Sequence, residues 1–145
     1  MIKVLGIDHI NFVVKDAEEG QRFWSGLLGI ELKNLRRMPN LDIIGSRSRE
    51  MGESVKESDI TPCLAVWAPL TPDGAEARTL AKRGEGVATL SFAVENIKDA
   101  VEHFKARGIE PFLATESSAW FRPKDTHGVR IQLMNGWHYR KGLDR

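Results

Sequence analysis

The chain repeats itself. The segment Ile7-Asp8-His9-Ile10-Asn11-Phe12-Val13-Val14-Lys15-Asp16 returns eighty positions on as Val87-Ala88-Thr89-Leu90-Ser91-Phe92-Ala93-Val94-Glu95-Asn96. Ile10 matches Leu90, Phe12 matches Phe92, Val14 matches Val94 and Asp16 matches Asn96, while His9 falls opposite Thr89. Both copies are rich in the β-branched and aromatic residues that strands prefer. Both end on a residue that caps helices well. A duplicated plan limits the possible folds more than any composition does.

Each copy predicts the same elements in turn. In the first, a strand over Gly6–Lys15 leads to Asp16, an N-cap with Glu19 as its capping-box partner, and a helix over Asp16–Leu28. Phe23, Leu27 and Leu28 give that helix its expected apolar face, with Trp24 beside it, and Gly29 is the expected C′ residue. A strand over Ile30–Leu35, a turn at Met38-Pro39-Asn40, a strand over Leu41–Ser46, a long polar loop or ragged hairpin over Arg47–Asp59 and a strand over Thr61–Ala68 complete it. In the second copy, a strand over Val87–Glu95 precedes a helix capped by Asn96, with Ile97, Ala100, Val101 and Phe104 on its apolar face and Gly108 at its end. Strands over Ile109–Leu113, Ala119–Phe121 and Gly128–Met134 follow.

The fold class is therefore α+β, two βαβββ modules pairing into a cup-shaped mixed sheet. We expect a single domain over 1–145, with module one at 1–68, a linker at 69–86 that has room for a short helix over Asp73–Lys82, module two at 87–135 and a basic, aromatic tail at 136–145. The length of 145 residues suits one domain with a core of its own. Twenty-one Lys and Arg against 20 Asp and Glu leave a net charge of +1, which asks for neither nucleic acid nor an anionic membrane. No apolar run approaches the roughly 20 residues of a membrane span. The single cysteine, Cys63, excludes an internal disulfide and fits a cytoplasmic protein.

Alternation along the strands groups the polar side chains. Residues i, i+2 and i+4 share a face, so His9 goes with Asn11, Thr89 with Ser91, Trp67 with Cys63, and Gln132 with Arg130. If these faces converge, they wall a cup with one titratable base and one fixed cation, suited to a small anionic or carbonyl-bearing ligand. His9 is the catalytic candidate, since an imidazole takes and returns a proton near neutral pH. A hydrogen-bonded strand histidine is the equal alternative. Gln132 either orients a substrate oxygen or hydrogen-bonds His9. Asn11, Trp67, Thr89, Ser91, Trp120 and Arg130 are the expected substrate-binding residues. Cys63 reads as packing, Trp24 as core, and His103 and His127 as surface residues. His138, with the Tyr139-Arg140-Lys141 run, reads as a subunit-interface or covering residue. Glu50, Glu53 and Glu57 read as solvated loop charge.

Three features carry a resemblance: Ile7-Asp8-His9-Ile10, the repeated βαβββ plan, and the closing run Pro123-Lys124-Asp125-Thr126-His127-Gly128-Val129-Arg130-Ile131-Gln132-Leu133. Together they resemble the vicinal oxygen chelate superfamily, which includes glyoxalase I, extradiol dioxygenases and bleomycin-resistance proteins. Gly84-Glu85-Gly86 before the second module adds a likeness to its methylmalonyl-CoA epimerase branch. Members commonly hold one divalent metal with four ligands. The resemblance carries those positions to His9, Ala65, Thr89 and Gln132. Alanine has no donor atom, and a neutral hydroxyl and amide are poor companions for one imidazole at the 2.0–2.3 Å or so that transition metals require. We therefore expect no metal residue set, no tightly bound catalytic metal and no other cofactor, a divalent metal held weakly by His9 and Gln132 being the alternative, and extradiol dioxygenase chemistry is disfavoured by the same count.

Two functions follow. One is a metal-independent isomerase- or epimerase-like enzyme, lyase-like chemistry included, acting next to a carbonyl of a small anionic substrate or acyl thioester. The other is non-catalytic sequestration of a small molecule, as in bleomycin-resistance proteins. The expected partners are a small-molecule ligand and, from the resemblance, a second copy in a homodimer, with no nucleic acid and no membrane.

Overall fold

The computed structural model describes residues 2–34, 47–48, 53–58, 62–69, 72 and 74–138. The expected turn at 38–40, the strand over 41–46 and Tyr139, Arg140 and Lys141 of the tail lie outside them, as do the side chains of Glu50, Glu53 and Glu57.

The element order keeps the repeat. The first copy runs β1 (Val4–Val13), α1 (Ala17–Leu28), β2 (Leu32–Asn34), β3 (Arg47–Ser48), β4 (Glu53–Ser58) and β5 (Cys63–Pro69). A helix, α2 (Ala75–Arg83), occupies the segment between the copies. The second copy runs β6 (Gly86–Val94), α3 (Ile97–Ala106), β7 (Leu113–Ala114), β8 (Ser118–Phe121), a 3₁₀ turn at Pro123–Asp125, and β9 (Arg130–Asn135). β6 pairs with β9 in parallel, whereas β2–β4, β4–β5, β7–β8 and β8–β9 are antiparallel, so the fold is α+β with mixed pairing. The described part of the 47–59 segment is a hairpin, with Arg47 opposite Ser54 and Ser48 opposite Glu53.

The helix starts follow from their caps. The Asp16 and Asn96 side chains each accept the backbone N–H three residues on, from Glu19 and Asp99, which satisfies one of the donors a helix start leaves open. α1 ends at Gly29, with φ 67°. α3 ends at Arg107, and Gly108 (φ 81°) lets the Ile109 N–H reach back to the Phe104 carbonyl.

By internal contacts the chain divides into two compact units, Met1–Ile10 with Thr89–Arg145, and Asn11–Ala88. Strands β1 and β6 each run through the boundary, so the first half of β1 belongs with the second copy. In the first unit the strand order is β1-β6-β9-β8-β7. Its core is Val94, Ile97, Ala100, Ala119, Phe121 and Leu133, with Val101 and Phe104 packed on it. The Phe104 and Phe121 rings meet at 4.5 Å between centroids. The expected apolar face of α3 is the observed one.

In the second unit the order is β2-β4-β5-β1, and the core is Val14, Ala17, Leu32, Val66 and Ala68. Here the expectation for α1 needs correction. Phe23, Leu27 and Leu28 are 58%, 62% and 52% exposed, and the buried face is Ala17 and Gly20, with Trp24 packed against the core. A Cβ on Gly20 would come within 2.8 Å of Val66 Cγ1 and 3.2 Å of Val14 Cγ2. The helix lies so close to its strands that only its smallest residues fit beneath it.

Candidate functional site

Strand register builds the site in the unit made of Met1–Ile10 and Thr89–Arg145. The parallel β6–β9 pairing puts Thr89 opposite Arg130 and Ser91 opposite Gln132, and the β8–β9 pairing puts Trp120 opposite Gln132. Directly opposed residues share a face. Both β6–β9 pairings become side-chain contacts: Arg130 Nη1 donates to Thr89 Oγ1 at 3.4 Å, and Ser91 Oγ donates to Gln132 Oε1 at 2.6 Å. His9 enters from β1, with its Nε2 at 2.8 Å from Ser91 Oγ. All five polar side chains, His9, Thr89, Ser91, Arg130 and Gln132, are buried, and Trp120 is half-buried.

The residue that the sequence did not reveal is Asp8. Its Oδ2 lies 2.7 Å from His9 Nδ1, and its Oδ1 accepts the His138 backbone N–H at 2.7 Å. The carboxylate is completely buried. Alternation puts Asp8 and His9 on opposite faces of a strand, so a period-two reading separates them. The repeat held the available signal, because the copy has Ala88 where the first segment has Asp8. The His138 backbone N–H ties the segment after β9 to Asp8. Trp137 lies over Gly6, where a Cβ would meet Trp137 Cη2 at 2.6 Å.

With Asp8 ionised, these contacts govern where the hydrogens of His9 sit. An ionised carboxylate only accepts, so Nδ1 carries the hydrogen in the Asp8 contact. With Ser91 donating to Gln132, Nε2 must donate to Ser91, and His9 is the imidazolium. If the Gln132 amide turns by half a turn and donates to Ser91, the serine hydroxyl donates to Nε2, and His9 is neutral. The cluster thus accommodates His9 with or without one proton, and that proton sits on Nε2.

Asn11 and Trp67 belong to the other unit, Asn11–Ala88. Both are buried, and Asn11 Oδ1 and Trp67 Nε1 have no hydrogen-bond partner among the described residues. Leaving such a group unsatisfied costs about 1–3 kcal/mol. Cys63 is buried in the same unit, where its Sγ contacts the Leu64 carbonyl oxygen at 3.7 Å.

The four positions where the resemblance implies metal ligands do not fit one. Ala65 offers a buried methyl group. The Thr89 hydroxyl accepts from Arg130, the Gln132 carbonyl oxygen accepts from Ser91, and His9 Nε2 is engaged with Ser91. Among the described residues, no three His, Cys, Asp or Glu side chains gather as a metal-binding group.

A sequence profile of the glyoxalase/bleomycin resistance protein/dioxygenase superfamily matches residues 8–131. No curated protein sequence matches the chain. Among solved structures, it resembles methylmalonyl-CoA epimerase from Mycobacterium tuberculosis, with a TM-score of 0.73 and 22% identity over 97% of this chain and 93% of that one. It is also similar to a methylmalonyl-CoA epimerase in complex with methylmalonyl-CoA and NH4+ (TM-score 0.71, 22% identity, 90% and 94% covered). A hypothetical protein of Bacillus halodurans gives a TM-score of 0.71 at 20% identity, with 88% and 91% covered. At these identities the likeness is one of fold. The profile match takes in most of the chain, from Asp8 to Ile131, and on it the protein belongs to the glyoxalase/bleomycin resistance protein/dioxygenase superfamily.

Proposed function

We propose that the protein is a metal-independent isomerase- or epimerase-like enzyme that moves a proton at a carbon next to the carbonyl of a small anionic substrate or acyl thioester. The observation that carries this reading is the imidazole of His9, held between the Asp8 carboxylate and the Ser91 hydroxyl with its exchangeable proton at Nε2. In the proposed step the Ser91 hydroxyl turns away from Nε2. The substrate C–H bond breaks, its proton bonds to Nε2, and its electron pair moves into an enolate with the charge on the carbonyl oxygen. The buried Arg130 guanidinium and the Gln132 amide are the groups that stabilise that charge. Return of a proton to the same face gives the solvent exchange by which the step is read, and delivery to the opposite face completes an epimerisation. The acyl-thioester class draws support from the methylmalonyl-CoA epimerases of the same fold.

The test is uptake of solvent deuterium into acyl-CoA thioesters and 2-oxo acids. His9→Gln should reduce exchange by about 10²–10⁴-fold, the usual contribution of a positioned general base, with the fold checked by circular dichroism. Exchange that survives the substitution overturns the role of His9. The sequestration reading has its own support, since both ring nitrogens of His9 are already engaged within the fold. Tight binding of these compounds without exchange would favour it. Among the described residues no helix is long and apolar enough to cross a membrane. We read the protein as cytoplasmic and homodimeric, with the exposed Phe23, Leu27 and Leu28 supporting self-association.

A further inference from the structure

We infer that Asp8 is a positioning residue for His9, locking the imidazole as the Nδ1–H tautomer so that Nε2 is the nitrogen that gains and loses the proton. The inference rests on the proposed proton-transfer reading for its catalytic consequence, but its structural half stands without it. Three observations carry it. The first is geometry: Oδ2 of Asp8 lies 2.7 Å from Nδ1, the short distance of a charge-assisted contact. The second is burial. Asp8 is 0% exposed, and a carboxylate is costly to remove from water unless it gains partners of its own. It gains the His9 ring and the His138 backbone N–H. The third is the repeat. The copy of this strand keeps the apolar pattern but has Ala88 and Thr89 in place of Asp8 and His9, so the fold builds the strand without an acid at this position. The acid and the imidazole occur together in the one copy and are both absent from the other.

Asp8 therefore does for His9 what a carboxylate does for any histidine that must act through one nitrogen: it fixes the tautomer and the ring orientation. The second oxygen extends the effect. Because Oδ1 holds the His138 N–H, the segment after β9 sets the angle of the carboxylate, and hence of the ring.

The test is nitrogen-15 NMR of the histidine ring in the intact protein, which reads the tautomer without any substrate. At a pH where the ring is neutral, wild-type His9 should give the Nδ1–H signature. Asp8→Asn keeps an oxygen for the His138 N–H and turns an amide donor toward Nδ1, so the ring should switch to the Nε2–H tautomer. Ser91→Ala should leave the Nδ1–H tautomer in place. A wild-type Nε2–H signature, or an unchanged tautomer in folded Asp8→Asn, overturns the inference. If Asp8→Asn fails to fold, the wild-type spectrum still decides. In the exchange assay, Asp8→Asn should lower kcat by roughly a hundredfold or more with little change in KM. Loss of the exchange reading alone, with the Nδ1–H signature intact, would remove the proposed activity and leave the positioning role.

Discussion

Ser91 joins the two halves of the candidate site. Its hydroxyl touches both the ring of His9 and the amide of Gln132 in a fully buried setting. Ser91→Ala deletes both contacts, one on the His9 ring and one on the Gln132 amide. We expect a loss of about 1–3 kcal/mol, read as a lower urea midpoint at constant slope. The grouping of His9, Thr89, Ser91, Arg130 and Gln132 was legible because strand alternation and the eighty-residue repeat both report which residues share a face. Asp8 was not legible, since its contact with His9 runs between neighbours that alternation assigns to opposite sides. The donor set at this site also predicts an outcome for metal removal. Prolonged dialysis against a chelator should leave the thermal midpoint and any exchange activity unchanged. A drop in either, restored by a divalent ion, would contradict the reading of His9, Thr89 and Gln132 as a hydrogen-bonded set.

The helices divide along similar lines. Their starts were readable from Asp16 and Asn96, because a capping bond is a local event that sequence spacing reports directly. The buried face of α3 was readable too, since Ile97, Ala100, Val101 and Phe104 are both its most apolar stripe and its contact stripe. On α1 those stripes differ. Hydrophobicity pointed to Phe23, Leu27 and Leu28, but close approach to Val14 and Val66 selects Ala17 and Gly20 instead. Distance of approach is a tertiary quantity that hydrophobicity does not encode. Gly20→Val should thus destabilise the protein by about 1–3 kcal/mol through overpacking, despite valine's better helix propensity than glycine's. Phe23→Ser, at an exposed position on the same helix, should stay within about 0.5 kcal/mol when unfolding is followed at protein concentrations low enough for the chain to be monomeric. Thermal or urea unfolding of the two variants separates the packed face from the apolar one.

For the whole molecule, the repeat fixed the order of elements but not the compact units. Duplication suggests that each copy packs with itself. Instead β1 and β6 each pass from one unit to the other, so the unit holding His9 combines the first ten residues with the second copy. Sequence periodicity follows the history of the chain, whereas contacts follow which strand lies beside which, and a strand with two neighbours serves both. The apolar stripe on α1 then acquires a role at this scale. Three large side chains, each more than half exposed on one helix, are the surface on which the proposed self-association rests. We expect a second copy to cover it. Sedimentation equilibrium should give the mass of a dimer for the wild type. Leu27→Glu, which introduces a charge in the middle of the stripe, should shift the equilibrium toward the monomer by at least tenfold in Kd, since a buried unpaired carboxylate is strongly unfavourable in an interface. Leu113→Glu, on a separately exposed leucine of β7, serves as the control and should leave the mass unchanged. A monomeric wild type, or a dimer indifferent to Leu27→Glu, would exclude this helix as the contact between copies.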